Sequence, residues 1–283
     1  MSSKVATSTT TRGTPLKQLK ILMLHGFTQS GPLFHAKTRS MEKLLQKAFP
    51  AGNPSNPLTN FPGGIRLIYP TAPNKLPPAT LPGFEEGGEE NDDAWGWWRR
   101  DDHSERYRYL DDGMQRIADT ILAEEGGIDG VIGFSQGAAC AALVASLLEE
   151  GRKEAFDACE KRGLLGYPKS FLGPDGKVIN APLRFAISYS GFRAPDEFYT
   201  GFYEPKIKTP TMHVIGSLDT LVDESRSLAL VKVCANDRVV YHPGGHFVPT
   251  RKDMVSAVIS FIRETCDDPK LEEESVEDMD VPF

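Results

Sequence analysis

A chain of 283 residues, 40% of them hydrophobic, holds enough apolar material for one large core, so one domain is the expected organisation. Its formal net charge of −7 sits at one end, where eight acids against the single Lys270 follow Cys266. The remainder is formally neutral, which argues against a phosphate backbone, and hence nucleic acid, as a partner.

The ends read as accessories to that domain. Residues 1–18 are rich in Ser and Thr, contain no acid and lack the apolar stretch of a secretory signal. They are expected to be a disordered extension, with a mitochondrial presequence as the alternative. The dense like charge of 267–283 predicts an acidic disordered tail, leaving 19–266 as the folded domain. Cys140, Cys159, Cys234 and Cys266 show no paired spacing. They read as free thiols of a reducing compartment, the cytoplasm or nucleus. The longest apolar runs are strand-sized, too short to span a membrane.

In chain order, the apolar run at 20–24 stops at His25-Gly26, and 34–49 repeats apolar residues at helical spacing. A second strand is expected at 65–69. The stretch 71–93 is rich in Pro, Gly and acid, which predicts an irregular functional rim. A helix at 107–125, closed by Gly126-Gly127, leads to a strand at 128–133 and a helix at 136–149. The polar insertion 151–182 has room for one short helix. Strands follow at 184–189, 211–215 and 238–242, with helices at 223–235 and 251–265. Short apolar strands alternating with amphipathic helices imply an α/β fold, a mainly parallel sheet with helices on both faces.

Gly133-Phe134-Ser135-Gln136-Gly137 fits the G-x-S-x-G elbow, in which a sharp strand-to-helix turn pushes a Ser hydroxyl out of the sheet. A hydroxyl is a poor nucleophile at neutral pH; it needs a base, and the base needs an orienting carboxylate. Asp219 follows the strand at 211–215, at a carboxyl end where catalytic groups gather. Its rival Asp223 stands where a helix begins and reads as an N-cap. His246, beyond Gly244-Gly245, is placed to reach Ser135, whereas His242 is still on the strand. The separation of the two histidines mimics a zinc pair, but Pro243-Gly244-Gly245 prevents the shared helical face such a pair requires, so no metal is expected. No nucleotide-binding glycine pattern is present, and no cofactor is expected. Two backbone N–H groups, of Phe27 and Gln136, are the candidate oxyanion donors. All three tryptophans cluster in Trp95-Gly96-Trp97-Trp98, where they read equally as an acyl-pocket wall or as core.

With these residues in view, the chain resembles the fungal and animal serine hydrolase family that includes the yeast family-of-serine-hydrolases proteins and the human ovarian-cancer-associated hydrolase. The likeness spans about 19–263 and rests on five blocks: 24–31 (LHGFTQSG), 134–138 (FSQGA), 190–192 (SGF), 214–219 (VIGSLD) and 242–246 (HPGGH). It implies an α/β-hydrolase fold without a large cap domain and a hydrolase for carboxylic esters or thioesters of acyl chains. The triad would be Ser135, Asp219 and His246, with the Phe27 and Gln136 amides as oxyanion hole. Phe192, Trp97 and Trp98 are candidate pocket residues. Some fungal members look like thioesterases that release polyketides from a synthase. Lysophospholipases and acyl-protein thioesterases share the Phe-Ser-Gln-Gly elbow, and a non-catalytic binding protein on the same fold is the reading from another class. The expected partner is a small acyl ester or thioester; the sequence leaves the oligomeric state open.

Overall fold

A computed structural model describes residues 15–77, 93–101, 103–104 and 106–266. Residues 1–14 of the extension expected over 1–18, the acidic tail and residues 78–92 of the rim lie outside them, while residues 15–18 are placed, the Lys17 carbonyl accepting from Gly63 N–H at 2.8 Å.

The chain runs β1 (Leu19–Leu24), α1 (Gly31–Ala48), β2 (Ile65–Ile68), then four two-residue strands: β3 (Asn74–Lys75), β4 (Trp95–Gly96), β5 (Arg99–Arg100) and β6 (Tyr107–Arg108). There follow α2 (Leu110–Leu122), β7 (Gly130–Phe134), α3 (Gln136–Leu147), α4 (Arg152–Glu160), β8 (Phe185–Tyr189), β9 (Thr211–Gly216), α5 (Glu224–Val231), β10 (Asp237–His242) and α6 (Lys252–Cys266).

Six strands pair in the order β10-β9-β8-β7-β1-β2, every pair parallel. Burial follows position. Central β7, β8 and β9 are buried at every residue, while edge strand β10 leaves every residue but His242 exposed or partly exposed. On one face, Phe34, Met41 and Leu45 of α1 meet Val255, Val258 and Phe261 of α6 over Met23, Ile132 and Ile187. On the other, Met114, Ile117 and Ile121 of α2 join Leu143 and Val144 of α3 over Val131 and Ala186. This is an α/β-hydrolase-type sheet with helices on both faces. The strand order reverses between β1 and β7, which opens a crevice at their carboxyl ends.

Small side chains explain α3. The sequence QGAACAALVASL is buried along its whole length, lying against β7, β8 and β1. At its far end the buried Glu149 accepts from Arg152 Nη2 at 2.6 Å and from the Lys208 and Thr209 amides at 2.6 and 2.7 Å. Arg152 in turn donates to the Pro205 carbonyl at 2.6 Å. The charged pair thus pins the α3–α4 corner to the approach of β9.

Two expectations change. The helix predicted from 107 starts at Leu110, because Tyr107 and Arg108 pair antiparallel with Arg100 and Arg99 and Tyr109 takes a left-handed φ of 63°. The start of the rim is also less irregular than its composition suggests, since Asn74 and Lys75 pair with Gly96 and Trp95. The insertion 151–182 supplies α4 and then Asn180, which bonds both backbone polar groups of Ile128 at 2.8 and 3.0 Å and so guides the entry to β7.

His25, just after β1, and His213, within β9, are buried, and burial pushes each imidazole pKa down to about 4. The unfolded chain takes up those protons near 6.5, so between pH 6.5 and 4 it binds protons the native state refuses. Stability is therefore unaffected by these groups above pH 6.5 and falls with pH below it, by up to about 1.4 kcal/mol per unit for each. Urea unfolding from pH 7 to 4.5 should show this slope, and His213→Leu, which leaves only His25 to protonate, should reduce it by about half.

Candidate active site

The turn at the end of β7 is steric. A Cβ on Gly133 would fall 2.1 Å from the Gly137 carbonyl oxygen, and one on Gly137 would fall 2.1 Å from that of Leu24. With both glycines in place, β7 passes into α3 within one residue. That residue, Ser135, is forced to φ 54°, ψ −117°, a conformation rare for a side-chain-bearing residue. Its N–H is anchored to the Tyr189 carbonyl at 2.8 Å, and its hydroxyl projects over the carboxyl edge of the sheet.

Two loops meet that hydroxyl. After β9 the chain turns through Ser217-Leu218, and after β10 through Pro243-Gly244-Gly245. They are stitched together by Ser217 N–H to the His242 carbonyl at 2.9 Å and Leu218 N–H to the Gly244 carbonyl at 3.0 Å. The stitching brings His246 Nδ1 to 2.8 Å from Asp219 Oδ2, while His246 Nε2 lies 2.9 Å from Ser135 Oγ. A carboxylate at Nδ1 selects the tautomer with its proton there, leaving Nε2 to accept from the hydroxyl. The imidazole rests on the Phe134 ring, centroids 4.8 Å apart.

Asp219 is held from its other oxygen as well, Oδ1 accepting from the Leu221 and Val222 N–H groups at 3.0 and 2.9 Å. Its side chain is 1% exposed. Burial alone would raise its pKa, but the Val222 N–H and His246 outweigh that and hold the carboxyl below its usual range. The aspartate therefore remains an anion at neutral pH.

The competing residues fall elsewhere. Asp223 occupies the N-cap position of α5, exposed, though its side chain makes no capping hydrogen bond. His242 is buried at the end of β10, its Nδ1 accepting from Gly244 N–H at 3.3 Å and its ring edge-on to Phe247.

Across the crevice from His246, the N–H groups of Phe27, in the loop after β1, and of Gln136, first residue of α3, are left without an acceptor among the described residues. Phe27 is followed by Thr28 in a left-handed conformation (φ 67°). His25 sets the base of this loop. Its Nδ1 lies 2.8 Å from the Gly26 carbonyl and its Nε2 accepts from Ala72 N–H at 3.0 Å, an arrangement that needs the neutral ring its depressed pKa provides.

The tryptophan segment joins the two loops. The Gln136 side chain accepts from Trp97 N–H at 2.8 Å and donates to the Trp98 carbonyl at 2.9 Å, as a strand neighbour would. The Trp97 indole donates to the His25 carbonyl at 2.9 Å, and Thr28 N–H donates to the Trp95 carbonyl at 2.9 Å. Residues 95–98 thus form a cross-tie between the β1 loop and the elbow. Nothing in the spacing of the sequence signalled this use of Gln136, whose side chain reads there only as the variable position of the elbow.

A cavity of about 700 Å³ opens at Ser135. Phe27, Trp98 and Phe192 line it, together with Phe34, Leu221 and Phe247. Trp97 does not, which corrects its reading as a pocket residue. It is fully buried against His25, with its one polar group consumed by the cross-tie.

Comparison with known proteins agrees with this architecture. The maize (Zea mays) acyl-protein thioesterase 2 structure superposes with a TM-score of 0.53 at 20% identity, over 90% of this chain and 96% of that one, a likeness of fold. A Schizosaccharomyces pombe protein named dihydrofolate reductase is 33% identical over 254 residues, 87% of this chain; the chain spans about half of that relative, 47% of its length. Family of serine hydrolases 3 of Saccharomyces cerevisiae is 31% identical over 265 residues, covering 86% of this chain and 83% of that protein. Residues 14–258 match the family described as Serine hydrolase (FSH1). An elbow serine in a strained turn, on a six-stranded parallel sheet and within a match of that extent, makes this chain a member of the FSH1 serine hydrolase family.

Proposed function

We propose that the protein hydrolyses carboxylic esters or thioesters of acyl chains through a covalent acyl-enzyme, with Ser135 as nucleophile, His246 as general base and acid, and Asp219 as the anion that orients and stabilises the imidazolium. The observation that carries this reading is the relay of 2.9 and 2.8 Å from Ser135 through His246 to Asp219, opening on an apolar cavity.

In the first half-reaction Ser135 Oγ attacks the carbonyl carbon while its proton passes to His246 Nε2. The carbonyl electrons move onto oxygen, and that oxyanion is received by the N–H groups of Phe27 and Gln136, the second at the positive end of α3. Collapse re-forms the carbonyl and breaks the bond to the leaving alcohol or thiol, which departs with the proton from His246. A water molecule then gives its proton to His246 and attacks the acyl carbon. The second collapse releases the carboxylic acid and returns the proton to Ser135 Oγ. The apolar wall of the cavity suits the acyl chain.

A fluorophosphonate should label Ser135, and Ser135→Ala should lower turnover by roughly three to six orders of magnitude with the fold intact by circular dichroism. Retention of more than about a tenth of the activity would overturn the assignment. The two aspartates separate cleanly. Asp219→Asn should cost on the order of 10⁴ in kcat, whereas Asp223→Asn, an exposed change outside the hydrogen-bond relay, should be nearly silent; the reverse pattern would exchange their roles.

Trp97→Phe keeps the buried ring but removes the indole donor to His25. If the cross-tie sets the spacing of the two oxyanion donors, kcat should fall about tenfold with KM little changed, since only transition-state charge is affected. A change confined to KM would show that the segment shapes the pocket instead.

A further inference from the structure

Among the described residues, the charged side chains that line the cavity are cationic. Apart from His246, its charged lining residues are Lys37, Arg100 and Arg226, and among the described residues no carboxylate lines it. The whole chain carries a formal charge of −7, so a cationic mouth is a local arrangement and does not follow from composition.

Arg226 is aimed as well as present. Its guanidinium lies 4.5 Å from the centre of the Phe192 ring, itself part of the cavity wall, with Nη1 at 3.5 Å from the Leu221 carbonyl. Of the acids near it in the chain, Asp219 is engaged with His246 and two amides and Glu224 with the Tyr241 hydroxyl at 2.6 Å, while the exposed Asp223 side chain makes no capping hydrogen bond and meets Arg226 only through its backbone carbonyl. Among the described residues neither Arg226 nor Lys37 forms an ion pair. Arg100 reaches the cavity from β5, beside Tyr107 of β6, whose ring stacks on Trp98 at 4.6 Å. Both guanidiniums act on the Tyr107 phenol, opposing the rise in its pKa that burial causes. Both arginines thus line the cavity whose wall includes Phe192, Trp98 and Tyr107.

A surface arginine usually serves solubility alone. Here the Phe192 ring holds an exposed guanidinium at the mouth of the cavity, where it can attract an anion to an extent that salt screens. We propose that the substrate carries, besides its acyl chain, a carboxylate or phosphate group that is received by Arg226 beside the Phe192 ring, with Lys37 adding to the attractive field at the mouth. The proposal rests on the hydrolase reading and names the substrate class of that site. The anion belongs either to the far end of the acyl chain or to the leaving group, and the chemistry of recognition is the same.

The test uses the full-length enzyme and two matched pairs of substrates. One compares p-nitrophenyl octanoate with the p-nitrophenyl monoester of octanedioic acid, placing the charge on the acyl chain. The other compares octanoyl thioesters of 3-mercaptopropanol and 3-mercaptopropanoate, placing it on the leaving group. In one arm the anionic member should show a kcat/KM about tenfold higher at low salt, shrinking as added salt screens the field. The same ratio should fall towards one in Arg226→Gln, and by a smaller factor in Lys37→Gln. The arm that responds identifies the source of the charge. Ratios near one in both arms, with the neutral substrates turned over, overturn the proposal and leave the hydrolase reading standing. Failure to turn over any of the four, with no fluorophosphonate label on Ser135, overturns the hydrolase reading instead.

Discussion

Everything at the site depends on how closely α3 can approach the end of β1. With Gly137 against the Leu24 carbonyl and Gly133 against Gly137, the strand-to-helix turn is compressed into a single residue. Ser135 alone absorbs the strain, in a backbone conformation that costs of order 1–3 kcal/mol and that the surrounding sheet sustains. The same compression places the amino end of α3 beside the β1 loop. The hydroxyl and the free amides of Phe27 and Gln136 consequently share one side of the crevice where the strand order reverses.

The opposite side is built by loops, and loops need bracing to hold an imidazole within hydrogen-bond reach of the Ser135 hydroxyl. Bracing here is largely backbone to backbone. Ser217 and Leu218 bond the carbonyls of His242 and Gly244, so the carboxylate and imidazole loops are tied to each other. Asp219 is fixed by two amides on one oxygen and by His246 on the other, which leaves a buried anion with its acceptors satisfied. A buried carboxylate without those donors would be driven towards its neutral form and lose the ability to stabilise an imidazolium.

Residues 95–98 connect the sheet to the rim and divide two roles that neighbouring tryptophans might be expected to share. Trp98 faces the cavity and stacks on Tyr107. Trp97 points the other way, into the core, and its indole nitrogen holds the His25 carbonyl. Gly96 makes this possible, since any Cβ there would press on the Phe27 ring at 3.0 Å. Alternation along an extended segment thus separates the cavity wall from support of the loop.

Much of the fold was legible because its signals are local. Apolar strands fully buried on both faces, a helix of small residues after the elbow and amphipathic helices between them are written in consecutive residues, and the six main strands lie within one or two residues of expectation. Ser135, Asp219 and His246 were legible for a related reason: each follows a strand, and a parallel sheet gathers its strand ends on one edge. Other features depended on which distant segments meet. The start of α2 moved because Tyr107 found a partner in Arg100, nearby in sequence but reached only by a hairpin that composition did not announce. The inward turn of Trp97, the clamp from the Gln136 side chain and the lining of one cavity by both Arg226 and Arg100 join residues 38 to 126 positions apart. Sequence determined which chemical groups were available and which strand each would follow. Only the tertiary structure decided which of them face one another, because hydrogen bonds and ring contacts form by proximity in space, and that proximity is set by packing over the whole sheet.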